Sequence, residues 1–218
     1  MDVHPLRSRL YVITPTSMVG NEALIPYVRA IVEAGVGLVQ YRAKDVSTRL
    51  MIEDCLKILR VTRPALVPLV VDDRVDVALA VGAEGVHVGV SDMPVAYARR
   101  LMGPHALVGA TAPTPQLARQ AEQGGASYVS VGPMYATATA PEKLPVGPER
   151  VTQVRSVCRL PICAIGGITE DTLGPVADAR PDLVAVVTAI SDAKCPGLAA
   201  RRLVARIAEL LPGEVKLQ

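Results

Sequence analysis

The sequence predicts an α/β chain folded as a single (β/α)8 barrel, the TIM-barrel class, over residues 1–218. Three observations predict it. Short apolar runs recur eight times, each followed by a stretch with helical spacing of its apolar residues. The runs are apolar almost continuously, as strands covered on both faces are. No linker or long insertion divides the 218 residues, so each unit averages about 27 residues, compact beside the roughly 250 of a typical barrel. Alternating strands and helices with right-handed crossovers admit a doubly wound sheet or a barrel, and eight uninterrupted units favour the barrel.

The first run is Leu10-Tyr11-Val12-Ile13-Thr14, broken by Pro15 and Gly20. Asn21 is then placed to cap a helix carrying Leu24, Val28, Ile31 and Val32, which Gly35 ends. The second run, Gly37 to Tyr41, turns polar at its end as Gln40, Arg42 and Lys44, and Ser47 caps the helix after it. The third, Pro68 to Val71, ends in Asp72-Asp73-Arg74, and its helix stops at Gly82. The fourth, Gly85 to Gly89, leads through Ser91-Asp92 to Pro94, where a first helical turn starts. The fifth is Ala106 to Thr111, with a helix opening at Thr114-Pro115. The sixth, Ser127 to Gly132, is followed by a long irregular loop, Pro133 to Pro148, of a length that is usually functional or mobile. The seventh, Ile162 to Ile165, ends in Gly166-Gly167 before Thr169-Glu170-Asp171, read as a capped helix start. The eighth is Leu183 to Thr188, and a last helix runs from about Pro196 to Leu211.

Composition narrows the function. Half the residues are apolar, so the chain is not disordered. Phe and Trp are absent, which gives an aliphatic core and no stacking platform for bases. The net charge is +2 with both signs dispersed, so no broad basic face addresses nucleic acid. No apolar run reaches the length of a spanning helix, and Met1-Asp2-Val3-His4-Pro5 opens no signal peptide. Cys55, Cys158, Cys163 and Cys195 show no metal spacing and read as buried or reduced thiols of a cytoplasmic protein, with Cys163 in the core. Homo-oligomerisation is left open.

A barrel carries its chemistry at the C-terminal ends of its strands, with a phosphate cradle after the last two. There stand Gln40, Arg42 and Lys44, Asp72 and Asp73, Asp92, Thr111, Thr137 and Thr139, Gly166 and Gly167, and Thr188. Arg42 and Lys44 suit a polyanion. Asp73 and Asp92, at neighbouring strand ends, repel an anionic substrate unless a cation such as Mg²⁺ lies between. A glycine turn lets the backbone approach an anion closely. Two phosphorylated ligands face to face suggest group transfer with pyrophosphate leaving. Each feature also has a plainer reading: the two acids as helix caps, the cations as solvated loop charges, the threonines as strand residues, His87 as a satisfied core histidine. No Ser/His/Asp or Cys/His set supports covalent catalysis.

Gln40-Tyr41-Arg42-Ala43-Lys44-Asp45, Val71-Asp72-Asp73-Arg74-Val75-Asp76-Val77-Ala78, Gly85-Val86-His87-Val88-Gly89, Val131-Gly132-Pro133-Met134-Tyr135 and Ala164-Ile165-Gly166-Gly167-Ile168-Thr169 resemble, in order, the motifs of the thiamine phosphate synthases, whose relatives include the thiazole tautomerases. The resemblance spans all eight units. It implies a Mg²⁺-dependent transferase joining 4-amino-2-methyl-5-(hydroxymethyl)pyrimidine pyrophosphate to thiazole phosphate by a dissociative route. It further implies that Gln40, Tyr41, Arg42, Ala43, Lys44, Asp72 and Thr111 contact the pyrimidine pyrophosphate, with Arg42, Lys44 and Thr111 catalytic. Asp73 and Asp92 would bind Mg²⁺, and Thr137, Ala138, Thr139, Gly167, Val187 and Thr188 the thiazole phosphate. The family usually has Asn at Asp72, Gln at Val90, Ser at Thr111 and a pyrophosphate-binding Lys at Ala140, for which Lys143 is a candidate substitute. The tautomerase histidine is Pro113 here. These departures keep two other readings open: a divergent paralogue, acting on another phosphorylated substrate or isomerising the thiazole, and a non-catalytic binder of thiazole phosphate or thiamine phosphate.

Overall fold

In the computed structural model, which describes residues 4–217, a two-residue strand β1 (His4–Pro5) precedes the barrel. The eight runs then become β2 (Leu10–Ile13), β3 (Leu38–Tyr41), β4 (Leu69–Asp72), β5 (Gly85–Val88), β6 (Leu107–Thr111), β7 (Tyr128–Val131), β8 (Ile162–Ile165) and β9 (Leu183–Val186). All are parallel, and β9 pairs back onto β2, so the sheet closes as a (β/α)8 barrel. Met1-Asp2-Val3, at the start of the segment read for a signal peptide, lie outside the described residues. No helix of the described residues is long and apolar enough to cross a membrane.

The outer ring is α1 (Leu24–Glu33), α2 (Thr48–Thr62), α3 (Val75–Val81), α4 (Val95–Met102), α5 (Pro115–Gln123), α6 (Glu149–Arg155) and α7 (Leu173–Asp178), then a single turn α8 (Thr188–Ser191) and the long α9 (Pro196–Leu210). Ser47 and Thr114 cap as expected: their hydroxyls accept from the N–H groups of Leu50 at 3.2 Å and Leu117 at 3.3 Å. Asn21 does not cap α1. Its side chain accepts from the Ala23 N–H at 2.9 Å, a turn preceding the helix. The turn α8 was not expected: the eighth strand stops at Val186, and Thr188 opens a helix instead of ending a strand.

Two apolar layers hold the barrel. Alternate strand residues such as Val12, Val39, Val71 and Val129 face the helices in one cluster. The other parity fills the lumen with Tyr11, Leu38, Val70, Leu107, Tyr128, Cys163 and Leu183. The last strand β10 (Lys216–Leu217) pairs antiparallel with β1, and Val215 and Leu217 join the lumen cluster. The C-terminal tail thus closes the end of the barrel away from the site. Arg9 secures that end by donating to the carbonyls of Leu211 and Asp182, both at 3.0 Å.

Candidate active site

At the C-terminal end of the strands lies a cavity of about 710 Å³, within the range of small-molecule sites. Strand parity decides which residues reach it. Gln40, Arg42 and Lys44 share one parity and all line it. Tyr41 and Ala43 have the other parity, are buried in the helix-facing cluster, and do not line it. The Tyr41 hydroxyl instead donates to Asp54 Oδ2 at 3.0 Å. In the long loop Thr137, Thr139 and Ala140 line the cavity, whereas the exposed Ala138 does not. Asp72, Asp73, Asp92, Thr111, Gly167, Val187 and Thr188 all do.

The acidic and basic groups meet on the side formed by β3, β4 and β5. Asp73 has a left-handed backbone, φ 60°, which Asp tolerates better than most side chains. Its N–H donates to the His87 carbonyl at 2.7 Å, and its carboxylate is paired with Lys44. Asp92 accepts from the Gly89 N–H at 2.9 Å. Neither acid caps a helix, since α3 and α4 begin without a side-chain cap, so the capping alternative is set aside.

Proton affinities in this group diverge. Burial and then Asp73 push the Asp72 carboxyl up to about 7. Its two cationic neighbours, Arg42 Nε at 3.6 Å and Lys44 Nζ at 3.7 Å, stand beyond hydrogen-bonding distance and do not offset that burial. Burial also works upward on Asp73, but hydrogen bonds with Lys44 and Asp92 hold it below the usual carboxylate range. Burial and the same contact with Asp73 push Asp92 up. Burial opposes the Lys44 ammonium, yet Asp73 and Asp72 keep its affinity above the ordinary lysine value. Two neighbouring carboxylates at a cavity mouth, one held down and the other pushed up, are a donor set that suits a hard divalent cation. Among the described residues no group of three or more His, Cys, Asp or Glu could hold a metal, so Asp73 and Asp92 fit Mg²⁺ only with phosphate and water oxygens completing its shell.

Across the barrel, four strands from β4, stands β8 with its glycine turn. Gly166 and Gly167 have φ of 96° and 66°. A Cβ on Gly167 would lie 2.6 Å from the Ala136 carbonyl oxygen, so the turn and the loop after β7 fit together only without a side chain there. The loop is tied to the turn by N–H bonds from Met134 and Tyr135 to the carbonyls of Ile165 (2.9 Å) and Gly166 (3.0 Å). The helix expected immediately after the glycines begins only at Leu173 and does not line the cavity. What faces the cavity at this turn is therefore loop backbone and not a helix N-terminus.

The floor was not anticipated. His87 is buried and satisfied, as the plainer reading held, but it lines the cavity, and so do Tyr11 and Ser130. Its Nδ1 lies 3.2 Å from the Tyr128 hydroxyl and its Nε2 3.0 Å from Thr111 Oγ1. Tyr128 meets the Tyr11 hydroxyl at 2.9 Å, and Gln40 Nε2 donates to Tyr11 at 2.8 Å. Burial lowers His87 to about 4 and raises both tyrosines, so all three are neutral. The parity of Tyr128 with Ser130, and of His87 with Gly89, was the signal available in the sequence. Cys163 also faces the lumen, but burial raises its thiol, so it is no nucleophile.

A closed barrel whose mouth sets paired carboxylates and cations against a glycine turn has the layout of an enzyme for phosphorylated small molecules. Comparison with known proteins gives the family. The family model described as thiamine monophosphate synthase matches residues 10–190, and the chain belongs to that family. It is 45% identical over 201 residues to the thiamine-phosphate synthase of Chloroflexus aurantiacus, covering 92% of this chain and 93% of that one. It is 40% identical over 206 residues to that of Natronomonas pharaonis, covering 93% and 96%. The thiamine phosphate pyrophosphorylase structure from Pyrococcus furiosus superposes with a TM-score of 0.85 at 33% identity, covering 94% of this chain and 98% of that one. The chain is accordingly an enzyme, a transferase.

Proposed function

We propose that this cavity transfers the hydroxymethylpyrimidine group from its pyrophosphate to thiazole phosphate, giving thiamine phosphate and pyrophosphate, with Mg²⁺ as cofactor. The carrying observation is the division of the mouth: Arg42, Lys44, Asp73 and Asp92 on one side, and Gly167 with Thr188 on the other. Arg42 and Lys44 hold the pyrophosphate, and Asp73 and Asp92 hold the cation. Mg²⁺, when bound, supplies charge that neutralises the departing pyrophosphate. The bond from the pyrimidine methylene carbon to the bridging oxygen breaks, and its electron pair leaves with pyrophosphate. The thiazole nitrogen then gives its lone pair to that carbon.

The absence of a usable nucleophile agrees with such a step, since orientation and preorganised charge carry it. Lys143 lines the cavity from the loop that holds Ala140, which supports its taking over the anion contact of the lysine usual at that position. The test is incubation of the pure protein with both phosphorylated substrates and Mg²⁺, with thiamine phosphate read by chromatography and Asp92→Ala as control. Product that depends on Mg²⁺ and vanishes in the variant supports the reading. A folded protein that binds thiazole phosphate but forms no product would replace it with the binder or paralogue.

A further inference from the structure

We propose that the buried chain Gln40–Tyr11–Tyr128–His87–Thr111 is a single relay of hydrogen-bond polarity, and that Tyr11 and Tyr128 are positioning residues through which the cavity selects an amino-pyrimidine over an oxo-pyrimidine. This rests on the pyrimidine reading of the same cavity given above.

Each member of the chain has one proton to give along it, so the direction of one bond sets the direction of all. An amide nitrogen only donates, so Tyr11 accepts from Gln40 Nε2 at 2.8 Å and must pass its own proton to Tyr128 at 2.9 Å. Tyr128 then donates to His87 Nδ1 at 3.2 Å. A neutral imidazole that accepts at Nδ1 carries its proton on Nε2, 3.0 Å from Thr111 Oγ1. Thr111 accepts there, and its hydroxyl proton is left for the cavity. Ser130 Oγ, 3.4 Å from His87 Nε2 and 3.5 Å from Thr111 Oγ1, accepts from the first and donates toward the second in the same sense.

At the other end, Gln40 Oε1 has no hydrogen-bond partner among the described residues, and Gln40 lines the cavity. The site therefore offers an acceptor at Gln40 and a donor at Thr111. Reversing the relay exchanges them, and reversing only part of it sets two donors against each other in a buried place, which is costly. A 4-aminopyrimidine presents an amine that donates and a ring nitrogen that accepts, the complement of the first state. A 4-oxo-pyrimidine presents the opposite pair, the complement of the reversed state.

The packing is built for the relay. Tyr11 and Tyr128 are 1% and 0% exposed, so a broken link is costly in so buried a place. Their rings meet edge to face, with centroids 6.0 Å apart. A Cβ at Gly109 would stand 2.3 Å from the Tyr128 hydroxyl and 2.4 Å from His87 Nδ1, so that link exists because residue 109 has no side chain.

The experiment compares kcat/KM for the aminopyrimidine pyrophosphate and its 4-oxo analogue, at saturating thiazole phosphate, in the wild type, Tyr11→Phe and Tyr128→Phe. Tyr41→Phe is the control, because its equally buried hydroxyl bonds Asp54 away from the cavity. We expect each relay variant to lose about tenfold or more of the amino preference, as expected when a hydrogen-bonding site loses its fixed polarity, and Tyr41→Phe to keep it. Either relay variant suffices if circular dichroism shows that the other does not fold. An unchanged ratio in an active, folded relay variant overturns the relay alone. No turnover of either pyrimidine by the wild type would take down the functional reading, and the relay with it.

Discussion

Asp72→Asn tests the electrostatics of the mouth most directly. Asp72 is 8% exposed, and its carboxyl rises from an ordinary 3.8 to about 7. The folded state thus binds the proton more tightly than the unfolded chain does. Its stability relative to the Asn variant is full below pH 4 and declines as pH rises toward 7. At about 1.4 kcal/mol per tenfold change in affinity, ionising Asp72 costs the metal-free fold about 4 kcal/mol at pH 8 and about 1 kcal/mol at pH 4.5. Asn keeps the shape and removes the charge. The variant should therefore gain stability by these amounts, or about 8–16 °C in Tm at pH 8 for a chain of this size. Calorimetry in chelator at both pH values measures it. A gain that is absent at pH 8, or equal at both, would refute the argument that burial and Asp73 leave the Asp72 carboxylate uncompensated beside Arg42 and Lys44.

Asp92→Asn should lower kcat/KM by about 10²-fold or more, because preorganised charge around a leaving group contributes several kcal/mol, and should right-shift the Mg²⁺ titration of activity. A variant with wild-type Mg²⁺ dependence would remove Asp92 from the cation site. Lys143→Ala should raise KM for the pyrimidine pyrophosphate about tenfold if it loses one charge-assisted contact, and unchanged turnover would show that Ala140 has no substitute. Gly167→Ala forces a left-handed alanine, costing about 1–2 kcal/mol, and sets its Cβ 2.8 Å from the Tyr135 Cβ. Chemical denaturation should show that loss, and KM for thiazole phosphate should rise more than KM for the pyrimidine.

Most of the fold was legible because it is written in local patterns. Eight apolar runs with glycine, proline and capping residues between them specify eight strand–helix units with strands buried on both faces, and eight uninterrupted units favour closure over an open doubly wound sheet. Much of the rim was legible for the same reason: Gln40, Arg42 and Lys44 alternate with Tyr41 and Ala43, and period two separates those facing the lumen from those facing the helices. The acids Asp73 and Asp92 stood out as charges at strand ends.

Tertiary structure alone decided the rest. An apolar strand residue shows which side it faces only through the parity of its polar neighbours, and nothing in Tyr11 or Tyr128 themselves marks them as core that also floors the site. The Tyr11–Tyr128–His87 contact joins residues 117 and 41 positions apart in the chain, and only barrel closure brings them within hydrogen-bonding distance. The seating of the C-terminal tail beneath the barrel is likewise a tertiary matter, whereas Asp73 and Asp92 follow the adjacent strands β4 and β5 and meet without closure. Sequence set which groups lie on the rim. The curvature of a closed sheet set which of them touch, and their proton affinities follow from that contact.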